Sequence, residues 1–285
     1  MKLLIFGMGY SGLAIAKEWL GEVVGTTRSA EKVAELAEQG INAVIFDGAL
    51  TDQLAAHLAS ATHVVISAAP SADGDPVLAA IPDFFERANT LQWVGYLSTV
   101  GVYGDFDGGW ISEQTEPKPV SKRGQWRVTA ENEWQSQANA HNVGFATFRL
   151  AGIYGPGRST FDKLRTGKSR RIIKHGQVFN RIHVQDIAQI VIKAAELKAI
   201  GVFNGADDEP APPSLVIEHA AQMIGVQPPR EEPFETADMT PMARSFYGDN
   251  KRCGNARLKK DLGISLRFPT YREGLASILA QESEG

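Results

Sequence analysis

The chain has 285 residues, of which 43% are hydrophobic and 22% charged, and its net charge is -4. These values suit a globular α/β domain with a smaller lobe, and the charge gives no reason to expect nucleic acid or an anionic membrane as a partner. A single cysteine, Cys253, excludes an internal disulfide and suits a reducing compartment. The apolar run Met1 to Phe6 is too short for a signal peptide or a membrane span, so we expect a cytoplasmic protein.

The first half of the chain alternates short apolar runs with helical segments. The apolar runs predict strands at 3–6, 23–27, 43–46, 63–67, 93–98 and 145–150. The segments between them predict helices at 13–20, 30–39, 52–59, 76–88 and 124–140. Strands that alternate with helices indicate an α/β fold with a Rossmann-type doubly wound parallel sheet.

Beyond residue 150 the pattern changes to a Gly/Pro loop and then a basic segment, 158–181. Asp186 is a predicted N-cap for a helix over 186–197. A further strand is predicted at 202–204, and further helices at 214–224, 255–262 and 271–281. We therefore expect a first domain of residues 1–150 plus about 176–204, and a smaller C-terminal lobe of about 151–175 and 205–285.

The first predicted strand runs directly into the glycine-rich turn Gly7-Met8-Gly9-Tyr10-Ser11-Gly12. Gly7 allows a tight turn, Gly9 lets the backbone approach a pyrophosphate, and Gly12 lets the following helix pack closely on the strand. The helix N-terminus then offers free N–H groups and a favourable dipole to phosphate. A strand before this turn and a helix after it are typical of a dinucleotide site, although a glycine-rich turn can also be purely structural.

The end of the second predicted strand indicates which dinucleotide binds. An acidic residue there would accept the ribose hydroxyls of NAD, but this strand ends Thr27-Arg28-Ser29. Arg28 can face a 2′-phosphate, which favours NADP(H) over NAD(H). Further along, Asp47 is a candidate partner for the adenine amino group, or a turn residue. Ala68 and Ala69 are small residues that leave room for the cofactor.

Several motifs in the expected order resemble an extended short-chain dehydrogenase/reductase, the superfamily of NAD(P)-dependent epimerases and dehydratases. They are the glycine turn, Leu97 to Gly104 (LSTVGVYG), Arg149 to Gly157 (RLAGIYGPG), Arg181 to Asp186 (RIHVQD) and Asn250 to Leu258 (NKRCGNARL). The resemblance covers nearly the whole chain. It implies a cleft between two lobes, and a homodimer face on the long helix 124–140.

The resemblance also implies a catalytic Tyr-x-x-x-Lys pair with an upstream Ser or Thr, and here the chain departs from the pattern. Thr99 matches the upstream position, but Arg123 stands where Tyr is expected and Arg127 where Lys is expected. The chain thus resembles the atypical branch of the superfamily. Arginine stays protonated, with a pKa above about 12, so Arg123 is no general base near neutral pH.

Three interpretations of the altered pair remain open. Tyr103 or His183 replaces the tyrosine as acid or base, although each can equally be structural. Alternatively, Arg123 stabilises a developing oxyanion, with Arg127 on the ribose. In the third interpretation the domain binds the dinucleotide without turnover.

The basic segment holds Arg158, Lys163, Arg165, Lys168, Arg170, Arg171, Lys174 and Arg181 against the single acid Asp162. In the resembled family this lobe receives a nucleotide-diphosphate sugar, so we predict an anionic substrate contacted by Arg158, Arg181 and His183. The alternative is a solvated basic surface. The other histidines show no metal-ligand spacing, so no metal is expected.

The sequence therefore predicts an NADP(H)-binding oxidoreductase or epimerase-like protein. Its expected partner is a small anionic substrate, such as a nucleotide-linked sugar or a related carbonyl or hydroxyl compound. The alternatives are a non-catalytic NAD(P)H-binding sensor or scaffold, and an isomerase that keeps the nucleotide only as structure.

Overall fold

The structure is a computed structural model that describes residues 1–284. Its strands are β1 Lys2–Phe6, β2 Glu22–Thr27, β3 Asn42–Ile45, β4 His63–Ile66, β5 Trp93–Thr99, β6 Trp110–Ile111, β7 Gly144–Leu150, β8 Gly152–Tyr154, β9 Arg171–Ile173, β10 Arg181–His183, β11 Gly201–Gly205, β12 Glu231–Pro233 and β13 Arg252–Cys253.

Helices connect most of these strands. They are α1 Tyr10–Glu18, α2 Ala30–Glu38, α3 Asp52–Ser60, α4 Pro76–Ala80, α5 Phe84–Arg87, α6 Lys122–Ala140, α7 Thr160–Arg165, α8 Val184–Leu197, α9 Pro213–Met223, α10 Pro241–Ser245, α11 Ala256–Asp261 and α12 Tyr271–Glu284, with a 3₁₀ helix at Val100–Tyr103.

Seven strands form one parallel sheet in the order β11-β7-β5-β4-β1-β2-β3. The chain builds the sheet outward from β1 in one direction and then, from β4, in the other. The switch between β1 and β4 opens a crevice at their carboxyl ends, where ligands of such sheets bind. The predicted α/β fold class is confirmed.

The sheet is buried on both faces, as expected from the mainly apolar residues of its central strands. Leu3 to Phe6 are 0% exposed, and β4 is buried along its whole length. One core, which includes Ile15 and Ile187, lies on the α1 and α8 side. The other includes Leu54, Phe84 and Trp134 and lies under α3, α5 and α6.

The predicted helix over 76–88 is wrong as one element, because it is two short helices, α4 and α5. Ile81 leaves the helical conformation, with φ −132° and ψ 73°. It precedes Pro82, whose ring disfavours the helical region for the residue before it and which brings no N–H for helical bonding. The first helix also differs, since it begins at Tyr10 inside the glycine turn.

A smaller set of elements follows β7 and forms cores of its own. Short parallel pairs join β8 to β10, β9 to β12 and β6 to β13. Apolar side chains of α7, α9 and α12 pack together around Phe161, Val216 and Leu275. A further cluster surrounds Ile172 and Tyr247. These separate cores fit a second lobe, but the domain boundaries stay a prediction.

A buried ion pair connects α6 to the sheet. Glu131, on α6, accepts three hydrogen bonds from the Arg149 guanidinium on β7, at 2.7, 3.2 and 3.4 Å, and both residues are 5% exposed. Glu131 also accepts a hydrogen bond from the Ser98 hydroxyl on β5. One carboxylate thus fixes the helix against two neighbouring strands.

Removing one member of this pair leaves an uncompensated buried charge. We predict that Glu131→Ala lowers the free energy of unfolding by about 3–5 kcal/mol, measured by urea titration. The matched control is Glu133→Ala, an exposed glutamate of the same helix, which should change the free energy by no more than about 0.5 kcal/mol. Equal effects of the two substitutions would contradict a structural role of the pair.

Candidate cofactor site and active site

The glycine turn lies at the crevice between β1 and β4. Gly7 has a φ of +98°, and a Cβ there would lie 3.0 Å from the Ala68 backbone nitrogen. A Cβ on Gly12 would lie 2.6 Å from the carbonyl oxygen of Gly7. A Cβ on Gly9 would meet nothing within 4 Å. Gly7 therefore lets the turn pass close to the backbone after β4, Gly12 lets α1 pack on the turn, and Gly9 faces open space.

That open space adjoins a helix N-terminus without a side-chain cap. Gly9 occupies the N-cap position of α1 and makes no side-chain capping bond. The first N–H groups of α1, on Tyr10 and the buried Ser11, are therefore free for an anion. The residues present fit a pyrophosphate at this turn.

Thr26 holds the turn from the side of β2, and sequence reasoning missed it. The Gly7 N–H donates to the Thr26 hydroxyl at 3.0 Å, and the Met8 N–H donates to the Thr26 carbonyl at 2.8 Å. Thr26 is buried, whereas its neighbour Thr27 is only half-buried. The alternation of side chains along a strand is the signal that could have separated the two.

The other predicted cofactor residues also lie at the carboxyl ends of the strands. Arg28 directly follows β2 and is exposed. Asp47 lies beyond β3 and is exposed. Ala68, which is half-buried, and Ala69, which is exposed, follow β4. The fold thus brings these residues to the edge where the glycine turn lies, although their roles stay a prediction.

Arg123 and Arg127, predicted at the positions of the expected Tyr and Lys, lie one turn apart on α6. Arg127 donates to the Leu97 carbonyl oxygen at 2.6 Å and lies over the Tyr96 ring, 5.7 Å from its centroid. Part of its guanidinium is therefore already bound to β5. Arg123, in the first turn of the helix, is exposed.

Thr99 ends β5 and is half-buried. Its hydroxyl oxygen accepts the Gly101 N–H at 3.1 Å and so caps the 3₁₀ helix. This bond uses the oxygen only as an acceptor, so the hydroxyl hydrogen remains available to a substrate oxygen. Thr99 is thus both a cap and a candidate donor at the carboxyl edge of the sheet.

Tyr103 lies in the core, which contradicts its prediction as a substitute acid or base. It is 0% exposed, and its hydroxyl donates to the Asn204 amide oxygen at 2.7 Å. The Arg149 guanidinium stacks on its ring, 4.7 Å from the centroid. Burial raises the pKa of Tyr103 to about 12. A group that no substrate reaches and that keeps its proton cannot do this chemistry.

His183 is likewise structural rather than a substrate contact. It is 0% exposed and packs against the Phe268 ring at 4.1 Å. Its Nδ1 accepts the Gln185 N–H at 3.3 Å, so His183 caps α8 and the prediction of Asp186 as the cap is wrong. Asp186 instead accepts the backbone N–H groups of Arg267 and Phe268.

Arg181 is directed into the protein and not towards a substrate. Its guanidinium donates to the carbonyl oxygens of Phe179 at 2.8 Å and Ala211 at 3.1 Å. Asp207 lies near it and is buried, which raises the pKa of that carboxyl group to about 8. Arg158, by contrast, is exposed.

Most cations of the basic segment already have partners, which weakens the expected excess of positive charge. Acids from the C-terminal part neutralise three arginines, in the pairs Arg165–Glu282, Arg170–Glu232 and Arg171 with Glu218 and Glu231. Lys174 donates to the Tyr247 carbonyl. The segment as a whole is therefore not a free anion-binding surface.

A sequence model of the NAD dependent epimerase/dehydratase family matches residues 3–204. The chain belongs to this family. Membership confirms the resemblance and indicates an NAD(P)-dependent, oxidoreductase-type enzyme with a nicotinamide dinucleotide as cofactor. It leaves open the substrate and the choice between the two dinucleotides.

Three known proteins are similar to this family member. A functionally unknown conserved protein from Silicibacter pomeroyi DSS is 45% identical, with a TM-score of 0.89 and 98% of each chain covered. UDP-N-acetylglucosamine 4-epimerase from Bacillus cereus has a TM-score of 0.80 at 16% identity over 99% of each chain, which shows a shared fold. The 3-diazoavenalumate denitrifying reductase of Streptomyces sp is 27% identical over 159 residues, 52% of this chain and 51% of the reductase. The match thus spans about half of that relative.

Residues 1–284 contain neither a membrane-spanning helix nor a metal-binding cluster. No helix in this range has the length and hydropathy needed to cross a bilayer. No group of His, Cys, Asp and Glu side chains in the same range is arranged to hold a metal ion.

The buried His183 should make stability depend on pH. Burial lowers its pKa to about 4, from an ordinary value of 6.5 that applies to the unfolded chain. Its contribution is therefore fully present above pH 6.5 and is lost as the pH falls towards 4, by about 3 kcal/mol in total.

The control for this prediction is His183→Asn, which keeps a capping acceptor without a titrating group. Between pH 7 and pH 4, the unfolding free energy of the unchanged chain should fall by about 3 kcal/mol more than that of the variant. Parallel pH profiles would show that His183 is not held neutral by the fold.

Proposed function

We propose that the chain binds NADP(H) at the glycine turn and acts as an oxidoreductase or epimerase-like enzyme. Its proposed substrate is a small anionic compound, such as a nucleotide-linked sugar or a related carbonyl or hydroxyl compound. The observation that carries this proposal is the open space at Gly9, beside the uncapped N-terminus of α1 and at the crossover of the sheet. Family membership supports a nicotinamide dinucleotide as the ligand of that space.

The preference for the phosphorylated dinucleotide rests on Arg28. It is the exposed residue directly after β2, where an acidic residue would favour NAD. The Ser29 side chain beside it accepts the Lys32 N–H and so caps α2. A 2′-phosphate at this position would therefore meet a guanidinium and the N-terminus of a helix.

The bound dinucleotide would supply or take up a hydride, and the chain would supply the groups around the reacting carbon. The Thr99 hydroxyl, whose oxygen already accepts the Gly101 N–H, would donate a hydrogen bond to the reacting oxygen and keep its proton. Arg123, exposed in the first turn of α6, stabilises negative charge that develops on that oxygen. Arg127 is anchored to β5 through Leu97, and its remaining N–H groups are available to the ribose.

The site would then stabilise charge without moving a proton through the protein. Arg123 and Arg127 stay protonated at neutral pH, and the two other candidates for acid or base, Tyr103 and His183, are buried. The substrate oxygen would exchange its proton with water or with a neighbouring substrate group. The similarity of the chain to about half of a protein named as a reductase, the 3-diazoavenalumate denitrifying reductase, supports the proposed oxidoreductase function.

The burial of Tyr103 and His183, which leaves the predicted catalytic residues without an acid or base, favours a second candidate function. Without a proton-transfer group at the site, the chain is also suited to bind NAD(P)H as a sensor or scaffold, with no turnover. The two functions differ in a single measurement, the change in reduced-cofactor absorbance with added substrates.

Cofactor preference is tested by fluorescence titration with NADPH and NADH. The unchanged chain should bind NADPH more tightly than NADH. Arg28→Ala should lower the ratio of the two affinities about tenfold, because a charge-assisted contact with the 2′-phosphate is lost. Arg87→Ala is a matched control, since Arg87 is an exposed arginine of α5 paired with Asp83. Equal affinity for both dinucleotides in the unchanged chain would contradict the NADP(H) proposal.

Turnover is tested with a panel of sugar nucleotides and carbonyl compounds. For any substrate found, Thr99→Val and Arg123→Gln should each lower kcat by about 10²-fold or more, because each removes a group that stabilises the reacting oxygen. Turnover that survives the combined loss of both would contradict the site. Tight NADPH binding without any turnover would favour the sensor.

A further inference from the structure

The loop between β8 and α7 packs directly on the glycine turn. Residues Gly155 and Arg158 exchange backbone hydrogen bonds, at 3.2 and 3.0 Å, and so close a tight turn around Pro156 and Gly157. The Tyr10 hydroxyl donates to the Pro156 carbonyl oxygen at 2.9 Å. Because Tyr10 is the first residue of α1, the loop is tied to the start of the helix that receives the pyrophosphate.

The approach of the two segments leaves no room for a side chain at position 155. A Cβ on Gly155 would lie 2.5 Å from the Tyr10 hydroxyl oxygen and 2.8 Å from a methyl group of Val184. The loop is therefore held between Tyr10 on one side and the start of α8 on the other. Its position relative to the glycine turn is fixed.

Arg158 is brought to the glycine turn by this packing. Its guanidinium carbon lies 5.6 Å from the centroid of the Tyr10 ring, a cation–π contact. Within residues 1–284 this guanidinium makes no hydrogen bond or ion pair with another side chain, and it is exposed. The arginines at 165, 170 and 171, in contrast, are all paired with acids.

We propose that Arg158 binds the pyrophosphate of the dinucleotide, together with the N–H groups of α1. The inference rests on the proposed function, since it deepens the same cofactor site. A planar guanidinium held against the Tyr10 ring can offer two parallel N–H groups to phosphate oxygens. Arg158 is therefore assigned to the cofactor, although the sequence predicted it for the substrate.

The geometry favours the cofactor for a simple reason of distance. Tyr10 is both the platform of the Arg158 guanidinium and a residue of the phosphate turn, so the guanidinium is held at the side of the crevice where α1 begins. The substrate oxygen, in contrast, would lie near Thr99, at the end of β5. Between β1 and β5 the sheet holds β4, which separates the two positions by about 10 Å at the usual strand spacing.

Two fragments of the cofactor test this assignment by isothermal titration. Adenosine diphosphate carries the pyrophosphate without the 2′-phosphate, and adenosine 2′-monophosphate carries the 2′-phosphate without the pyrophosphate. Arg158→Gln should weaken binding of the diphosphate about tenfold and leave the 2′-monophosphate unchanged. Arg28→Ala is the matched control and should show the reverse pattern. Arg158→Lys keeps the charge without the planar fork and should recover part of the diphosphate affinity.

The outcomes separate this inference from the proposed function. If the unchanged chain binds the diphosphate and Arg158→Gln binds it equally well, the assignment of Arg158 is wrong while the cofactor site stands. If the unchanged chain binds neither the diphosphate nor NADPH, the proposed function fails and the assignment fails with it. Thermal unfolding of each variant checks that this exposed substitution leaves the fold intact.

Discussion

The hydrogen-bonded ion pair of Glu131 with Arg149 is the interaction on which the arrangement of the candidate site depends. It joins α6 to β7, and the Ser98 hydroxyl joins the same carboxylate to β5. Arg127 and Arg123 lie one and two turns before Glu131 on the same helix face. The pair therefore sets how far the two arginines stand from Thr99. A buried pair contributes little net stability, but loss of one partner is costly, so its main effect is to allow a single position of the helix.

By the sequence alignment, this helix presents guanidinium groups at the positions where the resembled family is expected to carry a tyrosine and a lysine. A guanidinium binds and stabilises anions but does not exchange protons near neutral pH. The structure also buries Tyr103 and His183, the two groups that could have taken over proton transfer. Of the residues predicted for catalysis, Thr99 and Arg123 remain, and they supply a hydroxyl and a fixed positive charge. This combination suits a reaction in which negative charge develops on an oxygen, and it equally suits binding without reaction.

The elements of the sheet could be predicted because each follows from local sequence. The strands are apolar runs, and the glycine turn requires glycine for steric reasons that act within a few residues. The break between α4 and α5 was also signalled locally, by Pro82. The burial of Tyr103 and His183 had no such local signal. A tyrosine after a strand and a histidine before a helix look the same in sequence whether they are exposed or buried. Their burial depends on Asn204 and Phe268, which lie far along the chain.

The same reason explains why the charge of the basic segment was misread. Its arginines pair with Glu218, Glu231, Glu232 and Glu282, all more than 40 residues away in sequence, and no local pattern shows these pairs. The sequence predicted that Arg158 binds an anionic substrate, whereas we propose that it binds the cofactor pyrophosphate. The difference comes from its contact with Tyr10, which depends on the packing of the loop after β8 against α1.

The central claim is that the glycine turn of this family member binds a phosphorylated dinucleotide while α6 contributes only fixed positive charge. A crystal structure of the chain with NADPH tests it most directly. We expect the pyrophosphate at the N–H groups of Tyr10 and Ser11, the 2′-phosphate at Arg28, and the nicotinamide facing Thr99. A dinucleotide bound elsewhere, or a tyrosine or histidine side chain in contact with the nicotinamide ring, would contradict the account.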